Sequence, residues 1–268
     1  MHEINADPLR LIAGIRCFAL DMDGTVYLDE EWIDGARDFL AKIIKTGRRF
    51  VFMSNNSSKN TALYYDKLSR MGLPITPEQL VTSGQATIAW LKRHYPGKRV
   101  FLLGNAVLKA EFSEEGIILS DEDPEIVVTA FDNELTYKKL CMVCDYVRSG
   151  IPFIATHPDS NCPTKTGFIP DIGATHAYIE TSTGRSPDKI IGKPNAEIVD
   201  YLLEKTGAAR AETAIVGDRL YTDVAAGVNN GLTGILVLSG EVKLGDLAAS
   251  HIKPHLVFES VKEMIPLL

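Results

Sequence analysis

Long apolar runs are missing from this sequence. None approaches the ~18 residues that a membrane-crossing helix requires, so a membrane-embedded role is not expected. The opening stretch MHEINADPLRLIAGIRC mixes charges and has no uninterrupted apolar core of a secretion signal, which points to a cytoplasmic protein. Cysteine is scarce: Cys17, Cys141, Cys144 and Cys162 are the only four, and in a long cytoplasmic chain they are expected as free thiols. Cys141 and Cys144 form a C-x-x-C inside ELTYKKLCMVCDYVRSG, an amphipathic helical pattern. That context lacks the second ligand pair of a zinc site and the strand–turn–helix start of a redox pair. It reads as two small residues on one helix face. Internal repeats, heptads, low-complexity tracts and runs of like charge are also absent. Lysine and arginine number 28 against 35 acidic residues, a net charge of −7. That balance argues against a broad nucleic-acid or anionic-membrane surface, while leaving room for a local cationic pocket that holds a small anion.

What the chain does contain is an alternation of short apolar runs and amphipathic helices across 268 residues, enough for one large domain or two modest ones. The run 15–20 (IRCFAL) reads as a buried strand, followed by a helix from Asp34 to Thr46, a strand from Arg49 to Met53, and a helix from Ser57 or Ser58 to Met71. A strand edge with a turn follows, up to Gly84. The middle repeats the pattern: strands at 99–103, 125–131 and 152–156, helices at 106–115 and 135–149. A proline- and glycine-rich stretch from His157 to Gly173 precedes a weak helix at about 172–183. The last third resumes with helices at 195–206 and 222–230 and strands at 213–216, 234–238 and 256–258. Strand–helix alternation of this kind defines an α/β fold with a parallel sheet.

Four sites sit at the C-terminal ends of these strands, where α/β sheets place their ligands. Asp21-Met22-Asp23-Gly24-Thr25 follows the first strand. Residues two apart on extended chain point the same way, so Asp21 and Asp23 can face one site, and Gly24 permits the sharp turn. Two close carboxylates repel, and a divalent cation resolves that repulsion; oxygen-only ligands suit Mg²⁺. Read alone, the same residues also describe an ordinary turn. Ser54-Asn55-Asn56 offers a hydroxyl and backbone N–H groups ahead of a helix, an anion cradle in one reading and a plain helix cap in the other. Gly192-Lys193-Pro194 presents a lysine at a strand end, either for a phosphate or an ionised aspartate, or simply for solvent. It is not a Walker A loop, since Pro187 and Pro194 stand where that loop needs glycine and serine or threonine. Finally, Asp218 in G217-D-R-L-Y-T-D223 leaves a buried strand and can complete a metal site with Asp21. Asp223 either supports that site from behind or is an acid favoured at a helix N-terminus. An acid pair, a hydroxyl, a lysine and an acid, each on its own strand, describe a Mg²⁺-assisted phosphoryl-transfer site.

This ordered set resembles the haloacid dehalogenase superfamily. T156-H-P-D159, P163-T-K-T-G167, I179-E180, T183-G184-R185 and I191-G-K-P194 further resemble its NagD-like, p-nitrophenylphosphatase-like subclass, and the likeness covers nearly the whole chain. The resemblance implies a Rossmann-like parallel-sheet core at 1–84 and 187–268, with an α/β cap domain at 85–186 that closes over the site. It implies that Asp21 is the nucleophile and forms an aspartyl-phosphate. Asp23 protonates the leaving oxygen and then activates water. Ser54 and Lys193 hold the phosphoryl oxygens, with Asn55 and Asn56 beside Ser54. Mg²⁺ is then bound by Asp21, the backbone carbonyl of Asp23 and Asp218, with Asp223 behind them. In the cap, His157 and Asp159 would face the leaving group; His157 departs from the asparagine common in the subclass, and Arg185 reads as a hinge residue.

Asp23 also selects among the chemistries of the superfamily, because its dehalogenases need no second aspartate and its P-type ATPases carry lysine there. The implied activity is hydrolysis of a small phosphomonoester: a sugar phosphate, glycerol phosphate, phosphoglycolate or a nucleotide. Homo-oligomerisation remains open at this stage. The alternative is a metabolite-binding or regulatory protein on the same scaffold, which would usually have lost one of Asp21, Asp23, Lys193 or Asp218. A Rossmann oxidoreductase is disfavoured, since no G-x-G-x-x-G follows the first strand.

Overall fold

The computed structural model describes residues 7–164 and 166–268. Lys165, in the middle of the P163–G167 motif, lies outside the described residues, as do residues 1–6. The chain divides into two compact units: residues 1–54, 75–81 and 193–268 form one, and residues 55–74 and 82–192 the other. The second unit thus takes in 55–74, 82–84 and 187–192, stretches that the family resemblance placed with the first.

The first unit is built on a six-stranded sheet. From edge to edge its strands are Leu256–Phe258, Thr233–Val237, Thr213–Gly217, Cys17–Leu20, Arg49–Ser54 and Leu80–Thr82, and the first five run parallel. Numbered along the chain this is the order 6-5-4-1-2-3, the doubly wound Rossmann arrangement. Its central strands, CFAL and TAIVG, are almost wholly apolar and fully buried, as strands covered on both faces must be. Strand order reverses between Cys17–Leu20 and Thr213–Gly217, so the residues that follow these two strands flank the crevice of the switch point.

The second unit carries its own parallel sheet of five strands, in the order Lys189–Ile190, Phe153–Ala155, Ile126–Thr129, Arg99–Leu103 and Ile118–Leu119. Along the chain this is a 5-4-3-1-2 order, a flavodoxin-like winding. Helices Ala106–Glu114, Tyr137–Arg148 and Ile172–Thr183 connect its strands. Val143, Cys144 and Val147 of one helix and Ile179 of another pack on Phe101, Leu103, Val127 and Phe153 of the sheet. The fold is therefore α/β, with a Rossmann-like core and an inserted α/β unit.

Most expected elements are present within a few residues. The differences have local causes. The helix expected from Ser57 begins instead at Thr61, with Asn60 accepting from Leu63 N–H at 3.0 Å. Ser57 and Ser58 are drawn elsewhere: Ser58 N–H and Oγ both donate to Asn56 Oδ1, and Ser57 Oγ accepts from Phe131 N–H. The helix expected from Asp34 starts at Ala36, because Gly35 takes a left-handed φ of 78° as its cap. An additional helix, Ser83–His94, follows Leu80–Thr82; Thr82 and Gln85 form a reciprocal capping box, a T-x-x-Q signal visible in the sequence. The stretch His157–Gly173, expected as irregular, contains an antiparallel hairpin of Asn161–Thr164 and Gly167–Pro170. The helix expected at 222–230 is a wide π turn, Leu220–Val224, running into a short α-helix, Ala225–Asn229. All four cysteines are free thiols; Cys141 is exposed and Cys144 buried on the Tyr137–Arg148 helix. No helix among the described residues is long and apolar enough to cross a membrane.

Candidate active site

Asp21 is the first residue past the strand Cys17–Leu20, and its backbone N–H still donates to Val216 O at 2.9 Å. The chain then turns sharply. Thr25 and Val26 N–H both donate to Met22 O, and Gly24 N–H donates to Tyr27 O at 2.8 Å. Gly24 sits at a φ of 87°, and a Cβ there would press on the carboxylate of Asp218. Asp23 lies inside this turn, in a bridge with Tyr27.

Lys193 enters from the loop before helix Ala196–Thr206. Its Nζ donates to Asp21 Oδ1 at 2.6 Å, to Asp223 Oδ1 at 2.6 Å and to Met53 O at 3.0 Å. The ammonium is all but buried, with 3% of its side chain exposed, so the reading of a solvated lysine does not hold. Burial alone would lower its pKa, but Asp21 and Asp223 reverse that and hold it above the ordinary lysine range. Ser54, the last residue of the strand Arg49–Ser54, follows Met53 and is 7% exposed.

Asp21, Asp218 and Asp223 each present a carboxylate oxygen within 4.8 Å of the others. Burial pushes the Asp21 carboxyl well above its ordinary value; Lys193 opposes this, while Asp223 and Asp218 add to it. Burial, then Asp223, raise Asp218 to about 6. Lys193 pairs with Asp21 and Asp223 but not with Asp218, so the three clustered carboxylates outnumber the ammonium among them and a divalent cation would balance the set.

The two acids of the last motif are not equivalent. Both oxygens of Asp223 are committed, Oδ1 to Lys193 and Oδ2 to Arg219 N–H at 3.2 Å. Asp218 Oδ2 accepts from Glu241 N–H at 2.7 Å, but its Oδ1 is buried and has no hydrogen-bond partner among the described residues. An orphaned carboxylate oxygen beside Asp21, in an oxygen-only donor set, fits a hard divalent cation. The motif's position at the switch point, its buried lysine and this unmatched oxygen together give a pocket on a doubly wound sheet suited to a divalent cation beside an anion.

The remaining expected site residues, Asn55, Asn56, His157 and Asp159, all belong to the second unit, where they are tied to their own surroundings. Asn55 Nδ2 donates to Asp159 Oδ1 at 3.0 Å, and Ser83 Oγ donates to Asn55 O at 2.6 Å. His157 is fully buried; its Nε2 lies 3.0 Å from Asp171 Oδ1 and its Nδ1 2.9 Å from Thr156 Oγ1. His157, Asp159 and Asp171 approach one another as closely as metal ligands do. Both ring nitrogens of His157 already meet protein oxygens, so the trio reads as a satisfied internal network. Arg185 is also internal: its Nη1 donates to Val147 O and Ile151 O, and its Nη2 to Asp188. Sequence reasoning did not single out Met53 O, Glu241 or Gly240 as parts of the first unit's site. The first is a backbone atom, invisible to residue type; the others sit in S239-G-E241 after an apolar strand, the same signature that marked Asp21 and Asp218.

Comparison with known proteins agrees with this class. Residues 18–118 match the family model of haloacid dehalogenase-like hydrolases, and residues 190–264 a second, HAD-hydrolase-like model. The chain is 35% identical over 251 residues to an acid sugar phosphatase of Staphylococcus aureus, covering 93% of this chain and 96% of that one. Among solved structures it is similar to 4-nitrophenylphosphatase of Thermotoga maritima, at 44% identity and a TM-score of 0.93, covering 96% and 98% of the two chains. It is also similar to NagD of E. coli, at 32% identity and a TM-score of 0.85, covering 93% and 98%. The chain belongs to the haloacid dehalogenase-like hydrolases, in their NagD-like, p-nitrophenylphosphatase-like subclass.

Proposed function

We propose that the protein is a Mg²⁺-dependent phosphomonoesterase that hydrolyses a small phosphorylated metabolite through a phosphorylated Asp21. The observation that carries this reading is the division of labour around Lys193. One ammonium bridges Asp21 and Asp223, while Asp218 keeps one carboxylate oxygen unmatched. The fully buried acid positions the lysine; the others are left for reaction and metal.

Asp21 and Asp218, with the backbone carbonyl of Asp23, would hold the Mg²⁺. When bound, it supplies charge neutralisation for the phosphoryl oxygens and for Asp21. A carboxylate oxygen of Asp21 attacks phosphorus in line, and the bond from phosphorus to the ester oxygen breaks. Asp23 delivers a proton to that leaving oxygen. A water then attacks the phosphorus of the aspartyl-phosphate; Asp23 takes the proton from this water, and phosphate departs with Asp21 restored. Lys193 and Ser54 neutralise and orient the equatorial oxygens, which is most of what phosphoryl transfer asks of a protein. His157 and Asp159 act by shaping the second unit, His157 from a wholly buried position.

A sugar phosphate is the first substrate class to test, because the 35%-identical relative bears the name acid sugar phosphatase. Glycerol phosphate, phosphoglycolate and nucleoside monophosphates come next. Four free thiols support a reducing, cytoplasmic setting. The test is phosphate release from this panel with and without Mg²⁺, beside Asp21→Asn. Mg²⁺-dependent release that disappears in the variant is the expected result. A folded protein that binds Mg²⁺ and hydrolyses none of them would instead favour a metabolite-binding role.

A further inference from the structure

The loop after the strand Thr233–Val237 contributes no residue to the motifs, yet it brackets Asp218 from three directions. Ser239 Oγ donates to Gly24 O at 2.7 Å, tying the start of the loop to the turn that follows Asp23. Gly240 passes so close that a Cβ there would overlap Asp218 Oδ2. Glu241 N–H donates to Asp218 Oδ2 at 2.7 Å, and Val242 N–H donates to Asp218 O at 3.3 Å. The Glu241 side chain is anchored in turn: Oε2 pairs with Arg219 Nε at 2.9 Å, and Oε1 accepts from Tyr221 OH at 3.0 Å. Arg219 is the residue after Asp218, and its own N–H donates to Asp223 Oδ2.

The consequence lies in the geometry of one carboxylate. Pinning Oδ2 on the Glu241 N–H fixes the plane of the Asp218 carboxyl and thereby aims the unmatched Oδ1. We infer that Glu241 is a positioning residue for the divalent cation: its side chain, clamped by Arg219 and Tyr221, holds the backbone N–H that orients Asp218. This rests on the cation role assigned to Asp218 above. Partners that stand behind metal ligands typically change metal affinity by ~10–100-fold.

The test is direct binding of Mg²⁺, and of Mn²⁺ as a second probe, by titration calorimetry on the full chain, with melting temperature measured without cation. Wild type and Asp218→Asn report on the cation site itself; Glu241→Ala, Glu241→Gln and Tyr221→Phe report on the positioning. Glu241→Ala is expected to raise the cation Kd by ~10-fold or more. Glu241→Gln, which keeps an acceptor for Tyr221, should recover part of that, and Tyr221→Phe should lose less than Ala. Activity lost by Glu241→Ala at low Mg²⁺ should return as Mg²⁺ is raised. If wild type and Asp218→Asn bind the cation equally, the cation role of Asp218 fails and the inference with it. If Asp218→Asn abolishes binding but Glu241→Ala and Tyr221→Phe leave the Kd unchanged, only the positioning role is overturned. A fall in cation-free melting temperature with an unchanged Kd likewise marks Glu241 as merely structural.

Discussion

The ammonium of Lys193 lies 2.6 Å from Asp21 Oδ1, across 172 residues of chain, and at the same distance from Asp223. The contact to Asp223 is buried and that to Asp21 part-buried, so the lysine is the main counter-charge of the site. Lys193→Met would leave the buried Asp223 and the part-buried Asp21 without their cation. The expected cost is ~3–5 kcal/mol of stability, because removing one partner strands the other charges. Urea unfolding at neutral pH checks it; a change below about 1 kcal/mol, the range of exposed pairs, would show that these pairs are solvated.

Asp21→Asn should act in opposite directions on activity and stability. Turnover should fall by ~10⁴-fold or more, in line with the removal of a nucleophile. Without added cation, the variant should melt at or above the wild-type temperature, since it removes the part-buried one of three crowded carboxylates, whose charged form its surroundings disfavour. Retained turnover would contradict the nucleophile assignment, and a lower melting temperature the charge argument.

Gly217 ends the strand Thr213–Gly217, and a Cβ there would overlap Asp223 Cβ and Cγ. Asp223 is 1% exposed and held at both oxygens, so it has nowhere to go. Gly217→Ala should destabilise by ~1–3 kcal/mol and reduce kcat by displacing the support of Lys193. Gly14→Ala, at a helix end with open space around it, is the control and should stay within about 1 kcal/mol of wild type.

Burial lowers the pKa of His176 to about 4; the nearby His157 pushes the same way and Asp171 opposes. Its Nε2 lies 2.9 Å from Thr129 Oγ1. The unfolded histidine titrates near 6.5, so between these values the unfolded chain binds a proton that the native chain refuses. The stability that this site contributes is complete above about 6.5 and is lost as pH falls toward about 4, by ~3 kcal/mol in all. His176→Gln should therefore lose less stability than wild type between pH 7 and pH 4.5 in denaturant titrations. Parallel pH profiles for the two proteins would refute the assignment.

The helix Ser83–His94 shows why some of the fold was hard to read. Its apolar face is interrupted by Ser83, Gly84 and Thr87, all buried, and only the Thr82–Gln85 capping box announces it. The loop 55–60 was misleading for another reason. Serines at a strand end look like helix caps, but here other partners took them: the distant Phe131 N–H for Ser57, and the Asn56 side chain two residues back for Ser58. His157 carried a similar ambiguity, since a histidine after a strand reads alike as a ligand contact or an internal bond. Its complete burial occupies both ring nitrogens with Asp171 and Thr156 of the same unit.

Asp21, Asp23, Ser54 and Asp218 stood out as candidates from order and spacing, because a parallel strand delivers the residues after it to the sheet's C-terminal edge; Lys193 stood out in the same way, but the strand before it, Lys189–Ile190, belongs to the second unit's sheet. Sequence also determined the class of chemistry, since it fixes which residue types arrive there. Tertiary structure decided how the acids share the work. Asp218 and Asp223 are the same residue type five positions apart; the sequence set Asp218 at a strand end as a metal ligand and left Asp223 either behind the site or as an acid at a helix start. Only the packed site, where Lys193 and Arg219 N–H claim both oxygens of Asp223 while Glu241 N–H takes just one of Asp218, leaves a single oxygen unmatched. Hydrogen-bond satisfaction is a property of partners brought together across the chain, and it exists only once the chain has folded.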